Sequence, residues 1–189
     1  KWIEDESKNL QIKLAPGIAQ LLADYLGNDL SRISNELNKM KLVLKEGEVL
    51  DGKLVETHIG ISKEFNVFEL QNALGAKNQL KAYKIAQYFA DNPKDNPMVV
   101  TTSLVFSYFV KVLKYHGLKD KNPKNVASVL GISPFFIKDY DVALKNYPMK
   151  KVSTIVAGLR DIDVKSKGVG ANSLSNHDLL KEMLVTIFN

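Results

Sequence analysis

Apolar residues recur at helical spacing along most of the chain, and short polar breaks separate the repeats. One stripe follows positions 0, 3, 4, 7 and 8: Ile18, Leu21, Leu22, Tyr25 and Leu26. A second stripe follows positions 0, 3, 7, 10 and 14: Leu30, Ile33, Leu37, Met40 and Leu44. Because residues three and four apart share one helix face, both stripes predict amphipathic helices with a buried side. Gly27 predicts the end of the first helix, and Asn28 or Asp29 the N-cap of the second.

A polar break over residues 60–64 is followed by a new helical pattern that starts at Phe65. Helices are predicted over these later segments: 80–90, 98–115, 125–130, 133–146, 152–162 and a last one capped by Asn176. Residues 98–115 are apolar on nearly all sides, which predicts the central helix of a bundle. Residues 165–170 read as a flexible, glycine-bearing loop. No repeat is found and no strand is predicted, so the expected fold is all-α.

Composition places the chain among ordinary globular proteins. Its 189 residues are 45% hydrophobic and 25% charged, enough for one large domain or two small ones. The absence of cysteine excludes disulfides and thiolate metal sites and fits a reducing cytoplasm, where we expect this protein. No uninterrupted apolar run approaches the ~20 residues of a membrane span. The chain starts at Lys1 rather than Met, within a predicted helix, so we expect a fragment of a longer protein.

The net charge of +5 comes from lysine, since Arg32 and Arg160 are the only arginines. A lysine excess attracts polyanions weakly, but it reads sequence poorly because arginine makes most bidentate base contacts. A solvated lysine-rich surface is the simpler interpretation.

The sequence offers no convincing catalytic, cofactor or metal site. His58, His116 and His177 lie far apart, without a second ligand at metal-site spacing. Neither a nucleophile elbow nor a phosphate-binding loop is present. Asp161 and Asp163 stand two apart on a predicted helix, so their carboxylates point in different directions and do not close on one ion.

One segment has the outline of a helix-turn-helix motif. A small residue on one helix, Ala127, is followed four positions later by Gly131 in a turn, and then by Ile137 and Tyr140 on a second helix. The second helix would present phenylalanines and aspartates, which suit base edges badly and a protein interface well. We interpret the segment as a packed helical corner and keep a free-standing DNA-binding protein as the alternative.

The segment from Gly27 to Met40 resembles the delta-subunit family of bacterial DNA polymerase III clamp loaders. That family has Gly-x-Asp-Leu, an aliphatic residue, and then Glu-Leu-x-Lys-Leu, with Met40 here in place of the last leucine. Further likenesses follow in the family's order: Phe65–Phe68 with Ala73-Leu74, Lys81-Ala82, Leu130–Phe135, and Leu159–Lys165 with slightly altered spacing. The resemblance covers nearly the whole chain.

The resemblance implies a helical lid domain over residues 1–62 and a helical collar domain over 63–189. It implies a non-catalytic scaffold whose collar joins the collars of the motor (tau/gamma) and delta prime subunits in a ring. The family's clamp-contacting first domain lies outside this sequence, so the sliding clamp would be reached only through that domain. Exposed aromatics would serve as interface anchors, for which we select Phe135, Phe136 and Tyr147, although we expect at least one of them to pack in the core. Lys165 and Lys167 would face DNA near the ring.

Two other interpretations stay open at this point. A helix-turn-helix protein predicts salt-dependent DNA binding by the chain alone. An all-helical enzyme predicts a polar pocket that holds an acid or base with a perturbed pKa.

Overall fold

A computed structural model of the chain describes residues 1–26, 29–58, 65–169 and 174–189. By internal contacts the chain divides into two compact units. The first unit comprises Lys1–Lys63 with Asp120–Ile137, and the second comprises Glu64–Lys119 with Lys138–Asn189. The predicted domain boundary lies between residues 62 and 63, and the first break between the units lies one residue later. The first unit also contains residues 120–137, which the prediction assigned to the collar.

Within the described residues the chain is mostly helical, as predicted. The first elements are α1 Trp2–Asn9, β1 Lys13–Leu14, α2 Ile18–Leu26, α3 Leu30–Val43, β2 Val49–Leu50 and α4 Gly52–His58. The next are α5 Val67–Gly75, α6 Gln79–Asp91, α7 Met98–Gly117 and α8 Pro123–Leu130. A 3₁₀ turn at Pro134–Phe136 leads to α9 Ile137–Asn146, α10 Met149–Ser166 and α11 Asn176–Phe188.

The expectation of no strand is wrong for one small feature. Strands β1 and β2 pair in parallel, with Lys13 opposite Val49 and Leu14 opposite Leu50. Each strand has only two residues, so neither is long enough to show the alternating pattern by which a strand is recognised in a sequence.

The Tyr25 side chain lies outside the described part of the chain. The other members of the predicted α2 stripe, and most of the α3 stripe, are buried in an aliphatic core of the first unit. Its members are Ile3, Ile12, Ile18, Leu21, Leu22, Leu26, Ile33, Leu37, Met40, Leu50 and Val55. Leu30 departs from the prediction, since it is 49% exposed at the start of α3. Asp29 is the N-cap of α3 and accepts a hydrogen bond from the backbone N–H of Arg32 at 3.0 Å. Gly27 and Asn28 lie outside the described residues.

Segment 120–137 joins the first unit through a close backbone approach. Gly17 has φ +80°, and a Cβ added to it would lie 2.8 Å from the backbone of Ser133. Only glycine fits this approach without strain. Phe136 packs against the aliphatic core from the same segment.

In the second unit, five helices form a bundle in which each packs against the next and the last packs against the first. Helix α5 packs on α6, α6 on α11, α11 on α10, α10 on α7, and α7 again on α5. The fully buried side chains include Leu70, Ile85, Phe109, Val112, Ile155, Leu159, Met183 and Ile187. Among the described residues, α7 is the one helix that is long and apolar enough to cross a membrane by length and composition. It packs against both α5 and α10, but Val99 and Val100 on its outer side are exposed.

Tyrosines bring polar atoms into the core of the second unit. The Tyr147 hydroxyl donates a hydrogen bond to the Leu74 carbonyl at 2.7 Å. The Tyr108 hydroxyl is buried without a hydrogen-bond partner, and a Cβ added to Gly75 would clash with it. Gly75 therefore leaves the space that the Tyr108 side chain occupies.

Two predicted helix ends need correction. The N-cap of α11 is Ser175 rather than Asn176, because Ser175 and Asp178 form a capping box. Helix α10 continues to Ser166, so Lys165 is helical rather than part of a loop, and Lys167 follows directly as the C-cap. Gly170 and the break at 60–64 lie outside the described residues.

Candidate subunit interface

Helix α6 presents an apolar strip on its outer side. Leu80 is 69% exposed and Tyr83 is 44% exposed, although both are large apolar residues. They stand three residues apart and therefore share one face of the helix. The opposite face is buried and holds Ala82, Ile85, Ala86, Phe89 and Ala90. We call Leu80 and Tyr83, with Gln87 one turn further along, the α6 face.

The α6 face borders α11 across a shallow groove. Tyr83 and Gln87 line it from α6, and His177 and Lys181 line it from α11. The His177 ring nitrogen Nε2 lies 3.2 Å from a carboxylate oxygen of Asp91 at the edge of this surface. The groove encloses about 20 Å³, about the size of one water molecule. Small-molecule sites usually need several hundred Å³, so this surface suits a protein partner rather than a substrate.

Perturbed pKa values in the described residues come from burial and capping rather than from a pocket. Burial raises the pKa of Tyr108 and of Tyr147 above the ordinary value. Burial, together with a hydrogen bond to Asp141, raises the pKa of Tyr115 to about 12. None of these tyrosines lines the groove between α6 and α11. The part of the chain that the structure describes holds no group of three or more His, Asp or Glu side chains suited to a metal ion.

The three predicted interface aromatics have different environments. Phe135 is 48% exposed and packs edge-on against Phe136, with the ring centroids 5.0 Å apart. Phe136 is half-buried against the core of the first unit. Tyr147 is the one that packs in the core, because its side chain is fully buried and its hydroxyl donates to the Leu74 carbonyl, so it is not an exposed anchor. Phe135 alone of the three combines high exposure with a large apolar side chain, and its interface role stays a prediction.

The two predicted DNA-facing lysines are both engaged within the chain. Lys165 Nζ lies 2.5 Å from a carboxylate oxygen of Glu182 on α11. Lys167 Nζ lies 2.5 Å from a carboxylate oxygen of Asp163, four residues earlier. Each positive charge is therefore balanced by a neighbouring negative charge, which weakens attraction to phosphate. Their proximity to DNA stays a prediction.

The helix-turn-helix outline corresponds to a turn with Gly131 in the left-handed region at φ +62°. Ala127 and Ile137 of the first unit and Tyr140 of the second unit are all buried, and the packed corner stays an interpretation. The residues that would start a reading helix instead form a 3₁₀ turn that carries Phe135 and Phe136. An apolar start of this kind offers no hydrogen bonds to base edges.

Sequence reasoning missed the α6 face. The available signal was the apolar character of Leu80 and Tyr83 on the side of α6 that lies opposite the stripe of Ala82, Ile85 and Phe89. A helix with one buried stripe needs no apolar residues on its outer side, so their presence there points to a covered surface.

Comparisons with known proteins agree on one family. The family described as DNA polymerase III delta subunit, C-terminal domain, matches residues 64–186. A Mycoplasma genitalium protein named as a probable DNA polymerase III subunit delta is 28% identical over 168 residues, covering 88% of this chain and 55% of the relative.

A solved structure, the Bacillus subtilis DNA clamp loader delta protein, superposes with a TM-score of 0.57 at 22% identity. This similarity in fold covers 99% of this chain and 54% of that one. The chain thus spans about half the length of the relatives that it matches. Since the family match extends over well over half of the residues, the chain belongs to the family defined by the C-terminal domain of the DNA polymerase III delta subunit.

Proposed function

We propose that this chain is the non-catalytic scaffold part of a clamp-loader delta subunit within the DNA polymerase III holoenzyme, and that it acts in DNA replication inside the bacterial cell. Residues 63–189 would be the collar, which assembles with the motor and delta prime subunits. Contact with the sliding clamp would come from a domain outside this sequence. Family membership and the exposed α6 face support the proposal.

The α6 face is the observation that carries the interface assignment. Subunits of a ring bind two different neighbours through surfaces that do not pair with themselves. Such surfaces have apolar and aromatic centres that lose water on assembly. Leu80 and Tyr83 are exposed on a helix whose other side is fixed in the bundle, so they are held rigidly for a partner.

The proposal is tested by mixing the chain with the motor and delta prime subunits of its own organism and measuring complex mass by size-exclusion light scattering. We expect a stoichiometric complex that contains this chain. The double variant Leu80→Glu/Tyr83→Glu should weaken assembly by about tenfold or more, because it places charge at a desolvated contact.

Leu42→Glu is the matched control, since Leu42 is an 87% exposed apolar residue on α3 of the first unit. This variant should assemble as the unmodified chain does. If the unmodified chain does not enter the complex, the scaffold proposal is wrong. If both variants assemble normally, the interface lies elsewhere than the α6 face.

A further inference from the structure

Three segments of the second unit meet at the buried side chain of Tyr147. The end of α5 contributes the Leu74 carbonyl, which accepts from the Tyr147 hydroxyl at 2.7 Å. The end of α7 contributes His116, whose Nε2 lies 2.8 Å from the Tyr147 carbonyl oxygen. The connection between α9 and α10 contains Tyr147 itself, and the neighbouring Asn146 donates to the Gly75 carbonyl at 2.9 Å. These hydrogen bonds fix the three segments next to one another.

The surface around this junction carries four lysines. Lys77 follows α5, and its Nζ lies 4.8 Å from the centre of the Tyr147 ring. Lys145 lies in the last turn of α9, while Lys150 and Lys151 belong to the first turn of α10. Lys77, Lys145 and Lys150 are exposed and Lys151 is half-exposed. We call these four residues the Tyr147-end lysines.

Acidic residues are missing from the same segments. Residues 70–90, 96–119 and 142–160 contain neither Asp nor Glu. The nearest carboxylate in sequence, Asp141, accepts a hydrogen bond from the Tyr115 hydroxyl at 2.6 Å. In the described part of the chain none of the Tyr147-end lysines forms an ion pair, whereas Lys165 and Lys167 both do.

The position of Lys150 and Lys151 also costs helix stability. Positive charges in the first turn of a helix oppose its dipole, and α10 has no acidic residue there to compensate. Functional sites are where natural sequences tend to break such local rules. A negatively charged ligand would offset this repulsion.

The chemistry of the surface favours phosphate over a protein partner. Lysine is depleted in the centres of protein interfaces, which use aromatic residues and arginine as anchors. Here the aromatic ring of Tyr147 is buried, and the charged groups are all lysine. Lysine clusters suit the phosphates of a nucleic acid, which they bind without reading the bases. We propose that the Tyr147-end lysines form a nucleic-acid backbone-binding surface.

The test measures fluorescence anisotropy of a labelled oligothymidylate of about 20 nucleotides with the 189-residue chain, at about 50 mM and 200 mM salt. We expect weak binding that falls steeply with salt. Lys150→Gln/Lys151→Gln should reduce the affinity at low salt by about tenfold and flatten the salt dependence. Lys77→Gln/Lys145→Gln, on two other segments, should act in the same direction.

Lys41→Gln/Lys45→Gln is the matched control, because it removes the same charge from two exposed lysines of the first unit. It should change the affinity by less than about twofold, and circular dichroism checks that every variant is folded. An equal loss in the control would overturn the proposal, since it would show an effect of net charge alone. Absent or salt-independent binding would also overturn it, as would equally strong competition by an oligoglutamate of matched charge. The proposal goes beyond the scaffold role, and because it uses the chain alone its outcome is independent of ring assembly.

Discussion

The cores of the two units are built from different chemistry. Among the described residues, the buried cluster of the first unit consists of isoleucine, leucine, valine and methionine. The core of the second unit adds aromatic residues, among them Tyr108, Tyr147, Phe89 and Phe109. The Phe109 ring contacts the rings of both Tyr108 and Tyr147, with centroids 5.2 and 5.6 Å apart. An aliphatic core requires only shape and volume, whereas a core with tyrosines also buries hydroxyls, which cost stability where they lack a partner, as Tyr108 does.

The largest expected effect comes from truncating one fully buried residue in each core. Phe109→Ala should lower the free energy of unfolding by about 3–5 kcal/mol, and Leu37→Ala by about 2–5 kcal/mol, because each leaves a cavity. Urea unfolding measures both losses. Hydrogen exchange should then show Leu37→Ala loosening the first unit more than the second, and Phe109→Ala the reverse. Equal loosening of both units by either variant would mean that the two cores unfold as one.

A sharper comparison removes one hydroxyl from each of two tyrosines in the same core. Tyr147→Phe removes one of two donors to the Leu74 carbonyl, which keeps its bond from the Lys77 backbone N–H, and should cost about 0.5–1.5 kcal/mol. Tyr108→Phe removes a buried hydroxyl that has no partner and should be neutral or stabilising by up to about 1 kcal/mol. Thermal unfolding of both variants gives the two signs. A loss for Tyr108→Phe comparable to that of Tyr147→Phe would show that its hydroxyl is paired in solution.

These two cores also mark how far the sequence can predict the fold. The stripes of α2 and α3 are recognisable because aliphatic residues at helical spacing have one simple explanation, burial. The burial of Tyr147 does not follow from the sequence, because tyrosine is common both at interfaces and in cores. Its bond to Leu74 joins residues 73 positions apart, and no local pattern reveals such a partner.

The candidate surfaces show the same limit. Lys165 and Lys167 stand out in the sequence because glycines follow them, but their carboxylate partners become visible only in the structure. Glu182 lies on a different helix from Lys165, 17 residues away. The Tyr147-end lysines come from separate segments, so their clustering depends on the hydrogen bonds that join the end of α5 to the connection between α9 and α10. The sequence shows that those segments lack acidic residues. It does not show that the segments are neighbours, and only their proximity makes the lysines a positively charged surface.

The smallest expected effect concerns a carboxylate at the edge of the tyrosine core. Burial raises the pKa of Asp139 above its ordinary value of 3.8 in the folded chain. The folded state then holds the Asp139 proton more tightly than the unfolded state does, so this group lowers stability as pH rises through its folded pKa. Asp139→Asn should therefore be more stable than the unmodified chain at pH 7, by less than about 1 kcal/mol because solvent screens a half-buried carboxyl. The advantage should disappear below the ordinary pKa.

The comparison is made by thermal unfolding of both proteins from acid to neutral pH, with the exposed Asp161→Asn as the control that should show no such trend. An opposing contribution exists, because Asp139 lies in the first turn of α9, where the helix dipole favours a negative charge. The two effects have opposite signs at pH 7, so the measured sign decides between them. A more stable Asp139→Asn means that burial beside the tyrosines outweighs the dipole. A less stable one means that α9 depends on this charge at its start, and that the tyrosine core tolerates an ionised neighbour.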